Sequence, residues 1–179
     1  MSSAWWWGGC LAISAIAWCV TPPTLVAQGP ADDPLDQILD QYVRDGFVYY
    51  ASLRRERRLL DRYVDSLAPR PPAFDTWSET KRLTYWVNGY NALVLQTVID
   101  HYPIRGSSPD FPESSVMQVP GMFSSRHHLI AGDRLTLQDI EDQIGNLGDP
   151  RAYLALGRGA VGSPRLRSEA FDVRRFDIQ

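Results

Sequence analysis

The chain has 179 residues, an apolar fraction of 44% and a formal net charge of −3. That length suits one hydrophobic core rather than a multidomain assembly. The acidic balance excludes non-specific nucleic-acid binding, which needs a basic surface to displace counterions. Lys81 is the only lysine, so the basic residues are almost all arginine. Coding bias produces that pattern, and so does a need for bidentate anion recognition.

Residues 1–27 read as an export signal. Ala4 to Val20 is apolar, Pro22 and Pro23 break the run, and Leu25-Val26-Ala27 offers a small-residue cleavage site before Gln28. The basic start of a signal peptide is missing, since the first basic residue is Arg44. An uncleaved anchor is the alternative, at the short end of the roughly 17–25 residues that span a bilayer. Cys10 and Cys19 both lie in this segment, so a mature chain of residues 28–179 has no disulfide and no thiol chemistry. The expected location is periplasmic or secreted, touching the membrane only through an uncleaved N-terminus.

In the mature chain, Asp33-Pro34 opens a first helix, an N-cap followed by proline, with Leu35, Ile38, Leu39, Tyr42 and Val43 as its apolar stripe and Gly46 as its stop. Phe47–Tyr50 is a short β-prone run. Ser52 is the expected cap of a second helix carrying Leu53, Leu60, Val64 and Leu67 on one face. Arginines 54, 55, 57, 58 and 62 cover its other sides, a pattern usual for a solvated face. Pro69–Pro72 is a stiff connector.

Ser78 then caps the most strongly apolar helix, which Pro103 ends. Leu83, Val87, Tyr90, Val94 and Val98 line one face, while Trp86, Leu93, Leu95 and Ile99 fill most of the rest, so the helix is buried on several sides. Residues 104–126 form a long loop. His127–Leu135 reads as a hairpin around Gly132, feeding a helix capped by Thr136 with Asp139 at N3 and closed by Gly145. Arg151–Leu156 reads as a short buried strand, followed by a glycine-rich loop, Gly157 to Pro164. The charged residues 172–179 have no partner element.

Asn88 and Asn91, three apart on the buried helix, stand out. An unpaired buried amide costs about 1–3 kcal/mol, so each must be hydrogen-bonded. They either pin a neighbouring loop, with residues 104–126 the expected partner, or orient a substrate or catalytic group. Gly157–Gly162 matches GxGxxG in form, but Pro164 blocks the helix that a dinucleotide site requires. Arg158, Arg165 and Arg167 with the loop amides could instead make an anion nest, beside the simpler reading of a tight turn with solvated arginines. His127 and His128 alternate faces on a strand, so a site with Glu141 or Asp142 would receive one imidazole at most, and no metal set is assigned. A Ser-His-Asp reading through Ser163 lacks the nucleophile elbow. No cofactor is implied.

Several blocks together are similar to one known family. They are Val48–Ala51 with Leu60–Tyr63, Tyr85-Trp86-Val87-Asn88-Gly89-Tyr90-Asn91-Ala92-Leu93, His101–Ile104, Leu135–Glu141, Asp149-Pro150-Arg151, and Gly159-Ala160 with Pro164 and Leu166. In this order, from about residue 47 to residue 171, the chain resembles the family called domain of unknown function 547 (DUF547), whose bacterial members are often exported. The resemblance implies that Asn88, Asn91, Glu141 and Arg151 belong to the family's polar signature, without giving them roles. It also exposes departures. Arg158 and Ser163 stand where many members carry cysteine, and Asp142 and Tyr153 where many carry histidine. Members usually continue beyond the point where this chain stops, so a C-terminal truncation is one reading of Gln179.

The expectation is a helix-rich α+β domain with a central buried helix and a small, mostly antiparallel sheet drawn from residues near 47–50, 128–135 and 151–156. Two functions stay open. One is an exported, hydrolase-like enzyme with Glu141, Asn88 and Asn91 as catalytic candidates and Arg151, Arg158 and Trp86 as substrate-binding ones. The other is a non-catalytic binding or structural module of the cell envelope. Either would take a small or anionic ligand.

Overall fold

The computed structural model describes residues 33–160 and 162–174. The expected signal segment and both cysteines lie outside the described residues. The fold is α+β, rich in helix, with two small antiparallel hairpins. No helix among the described residues is long and apolar enough to cross a membrane.

Helix α1 (Pro34–Tyr42) starts as its sequence dictates, with the Asp33 side chain accepting from the Leu35 N–H and proline in the first turn. It ends at Tyr42, earlier than Gly46, because Asp45 and Gly46 both take positive φ and turn the chain into a hairpin, β1 (Val43–Arg44) with β2 (Phe47–Val48). Asp-Gly suits such a turn. The second expected helix is two helices, α2 (Tyr50–Arg55) and α3 (Arg58–Leu67). Ser52 lies inside α2 rather than capping it. The break falls at Glu56, whose carboxylate accepts from the Tyr42 hydroxyl at 2.9 Å.

Helix α4 (Glu79–His101) runs for 23 residues from its Ser78 cap. One core forms on its Trp86, Val87, Tyr90, Leu93 and Val94 side, against Ile130, Leu137, Ile140 and Ile144. A second forms on its Ala92, Leu95 and Ile99 side, against α1, Leu53 and Leu60. Gly89 lets the β-hairpin approach, since a Cβ there would stand 2.8 Å from Ile130 Cδ1. The loop at 104–126 is organised by Gln118, whose Nε2 donates to the carbonyls of Ser108 and Phe111 at 3.0 and 2.9 Å.

Strands β3 (His127–Ile130) and β4 (Asp133–Thr136) pair in register His127 with Thr136 to Ile130 with Asp133, around Ala131-Gly132, both at positive φ. The hairpin leads into α5 (Leu137–Gly145), which opens with the expected capping box between Thr136 and Asp139. The two hairpins remain separate sheets. Arg151–Leu156 is not a strand. Residues Pro150–Ala155 form a 3₁₀-helix, because the Asp149 side chain caps the Arg151 N–H and Pro150 occupies the first turn. Asp149-Pro150 thus repeats the signal that opens α1.

His128 on β3 is half-buried, and its Nε2 is enclosed without a hydrogen-bond partner among the described residues. Burial, then the nearby Arg126 charge, pushes its pKa down to about 4 from 6.5. Between those values the unfolded chain binds a proton that the folded chain does not, so stability is full above about pH 6.5 and declines as pH falls towards 4. Allowing for partial exposure, the loss between pH 7.5 and 5 should be about 1–2 kcal/mol. Urea midpoints should fall less over that range for His128→Gln than for the unchanged chain.

Candidate functional site

Asn88 and Asn91 face different stretches of the C-terminal segment, and neither reaches the 104–126 loop. Asn88 Nδ2 donates to the Phe171 carbonyl at 2.9 Å, and its Oδ1 accepts from the Phe171 N–H at 3.0 Å. Asn91 Nδ2 donates to the Ala155 carbonyl at 3.0 Å, and its Oδ1 accepts from the Gly157 N–H at 2.8 Å. Each carboxamide therefore pairs with backbone as a peptide group would, and both are buried. The expected loop partner is corrected: the segments held are 155–157 and residue 171.

Glu141, on the inner face of α5, is buried at 3% exposure. Its Oε1 accepts from the Tyr90 hydroxyl of α4 at 2.6 Å. Its Oε2 is bound by Arg158 Nη2, whose guanidinium also stands 5.5 Å from the Phe123 ring centroid. Burial, then the Glu141 hydrogen bond, pushes the Tyr90 phenol far above its ordinary value, so it stays a donor. Tyr153 packs beneath α5, its hydroxyl 3.4 Å from the Glu141 carbonyl. Arg158 is about half exposed, and replacing it would leave a buried carboxylate with one neutral donor.

The other candidates have their described partners elsewhere. Arg151 turns to Asp149, two residues back, in a two-pronged pair at 2.9 and 2.7 Å. That pair holds the Asp149 carboxyl below its ordinary range. Trp86 is 6% exposed, edge-on to Phe74 at 5.7 Å and to Tyr85 at 5.4 Å, within an aromatic cluster of the core. His127 is exposed, its Nδ1 3.1 Å from the Ser125 carbonyl, and Asp142 accepts from Gln138 at 3.4 Å. No set of three or more His, Cys, Asp or Glu among the described residues is arranged to hold a metal ion. Ser163 Oγ donates to the Ala160 carbonyl at 2.8 Å.

A cavity of about 520 Å³ lies on the other side of the glycine-rich loop. Val94 and Leu95 of α4 form its floor, Phe47, Val48 and Tyr50 one wall, and Gly157, Gly159, Ala160 and the 162–166 stretch the other. Its size is typical of a small-molecule site. Sequence reasoning missed Tyr90, Tyr50 and this cavity. Tyr90 could have been found, because a tyrosine on the inward face of a buried helix needs a partner for its hydroxyl.

The family described as Protein of unknown function, DUF547, matches residues 74–179, more than half of the chain. The chain belongs to the DUF547 family. No curated protein and no solved structure shows significant similarity to it. The DUF547 match begins at Phe74, just before α4, so it takes in both asparagines, Glu141 and the glycine-rich loop.

Changing Asn91 to Asp keeps the acceptor for the Gly157 N–H but sets two oxygens face to face at the Ala155 carbonyl. A loss of about 2–3 kcal/mol is expected in urea unfolding at pH 7. Amide exchange should accelerate over residues 156–171 while α4 stays protected; unchanged protection there would refute the clamp.

Proposed function

We propose that this DUF547 protein is a non-catalytic binding module of the cell envelope, taking its ligand into the cavity between the first hairpin, α4 and the glycine-rich loop. One observation carries the reading. The polar side chains an enzyme would need are already committed: Glu141 to Tyr90 and Arg158, and both asparagines to backbone. A general acid or base must reach the proton it moves, and a carboxylate engaged at both oxygens in a buried setting is placed to hold α4, α5 and the loop together. The residues standing where relatives carry cysteine support the same view. Arg158 binds Glu141 and Ser163 closes a local turn. The envelope location rests on the apolar run from Ala4 to Val20, ahead of Pro22 and Pro23.

The test uses N-phenyl-1-naphthylamine, a neutral apolar fluorophore, with the full chain. Uptake should give a saturable rise in fluorescence. Val48→Trp, which fills the cavity, should abolish it with the helical circular dichroism unchanged. A chain carrying both Glu141→Gln and Arg158→Gln, verified as folded, should bind within about threefold of the unchanged protein. No uptake, or uptake untouched by Val48→Trp, would overturn the cavity reading. Turnover of any ester, amide or glycoside that is lost in Glu141→Gln would restore the enzyme reading.

A further inference from the structure

The cavity's lining is chemically one-sided. Among the described residues it contains no acidic side chain, and Arg165 is its one charged group. That arginine is held in place with unusual care for an exposed side chain. Its stem lies against Gly46, where an added Cβ would stand 2.6 Å from Arg165 Cβ. Gly46 also has φ +81, so a larger residue is excluded there on two grounds. The guanidinium stands 5.6 Å from the Phe47 ring centroid, and Nη1 donates to the Asp45 carbonyl at 3.3 Å. No carboxylate among the described residues pairs with it, as holds also for Arg44, Arg54 and Arg134 among others, whereas arginines 57, 70, 151, 158 and 167 each have one. Four of its five N–H donors thus stay available.

Tyr50 supplies a second donor. Its ring packs at 6.0 Å from Tyr102, its residue is largely enclosed, and burial pushes the phenol up to about 12. The hydroxyl has no hydrogen-bond partner among the described residues and approaches Gly159, where a Cβ would stand 3.4 Å from it. The floor and the rest of the walls carry aliphatic side chains, Val48, Val94, Leu95 and Leu166. A pocket with an apolar body and donors on its facing walls favours a ligand of matching polarity.

We propose that the cavity takes an amphiphile with a single anionic head, its chain or ring lying on Val94 and Leu95 and its carboxylate held by Arg165 and the Tyr50 hydroxyl. This rests on the cavity being the binding site. Arg165 gives the head a planar two-pronged partner, and Tyr50 stays protonated at neutral pH and donates.

Displacement of N-phenyl-1-naphthylamine from the full chain tests it, with decanoate, decanol and decyltrimethylammonium below their micelle concentrations. Decanoate should displace the fluorophore at concentrations at least tenfold lower than decanol, and decyltrimethylammonium should be weakest. Arg165→Gln should remove the advantage of decanoate over decanol while leaving decanol unchanged, and Tyr50→Phe should reduce it about threefold. Raising salt should weaken decanoate alone. Equal displacement by decanoate and decanol, or an advantage that survives Arg165→Gln, would overturn the anionic head and leave the cavity reading standing. Failure of the fluorophore itself to bind would overturn the cavity reading instead.

Discussion

The carboxamides of Asn88 and Asn91 are presented on a helix packed on both sides, and each meets one backbone N–H and one backbone C=O. A buried amide has to be satisfied, and a peptide group matches it donor for acceptor. The residues they hold lie in a stretch with little regular structure: a 3₁₀-helix to Ala155, then described residues outside any helix or strand up to Phe171. Among the described residues that stretch has no strand ladder, and the two asparagines fix its backbone at 155–157 and 171, with Asp36 accepting from the Ala170 N–H at 2.8 Å. The position of Arg158 over Glu141 and the far wall of the cavity both follow from it.

Glu141 extends the same logic to charge. Its carboxylate is placed under the loop by α5, and α5 is placed by the Thr136–Asp139 capping box and the hairpin before it. Tyr90 comes from α4 one residue before Asn91, so one helix supplies both the amide that fixes Gly157 and the phenol that meets Glu141. The loop is thereby anchored at two adjacent residues, 157 through its backbone and 158 through its side chain. Such buried ion pairs add little net stability over an apolar packing, but losing one partner is costly, so they define geometry more than they strengthen it.

Much of this was readable from local signals. Ser78, Thr136 with Asp139, Asp33-Pro34 and the Gly132 turn each report backbone chemistry within four residues, and each element they mark is present. Two other elements carry local signals that admit a second meaning. Gly46 reads as a helix stop, yet Asp45-Gly46 makes a hairpin turn, and Asp149-Pro150 starts a 3₁₀-helix although the apolar residues after it read as a strand. The site was different. That Asn88 and Asn91 needed partners followed from their burial, but no residue pattern says that the partners are backbone groups at 171 and 155–157. Main-chain acceptors leave no mark on the sequence. Arg165 was visible only as one of several arginines, because its distinction lies in its place in the cavity lining and against Gly46 of the hairpin turn.

The amide clamps join residues 64 and 83 positions apart. During synthesis at about 5–20 residues per second, α4 exists for roughly 3–15 s before the segments that answer its asparagines have been made. In that interval its most apolar surface lacks both its C-terminal cover and Glu141. A chain stalled or cut short after α4 would be left with buried-type amides facing water and aliphatic side chains facing each other, the kind of species that chaperones hold and that aggregates when they do not. The segment from 155 to 171, whose described residues after Ala155 hold no helix or strand, is therefore what makes the longest helix safe to release.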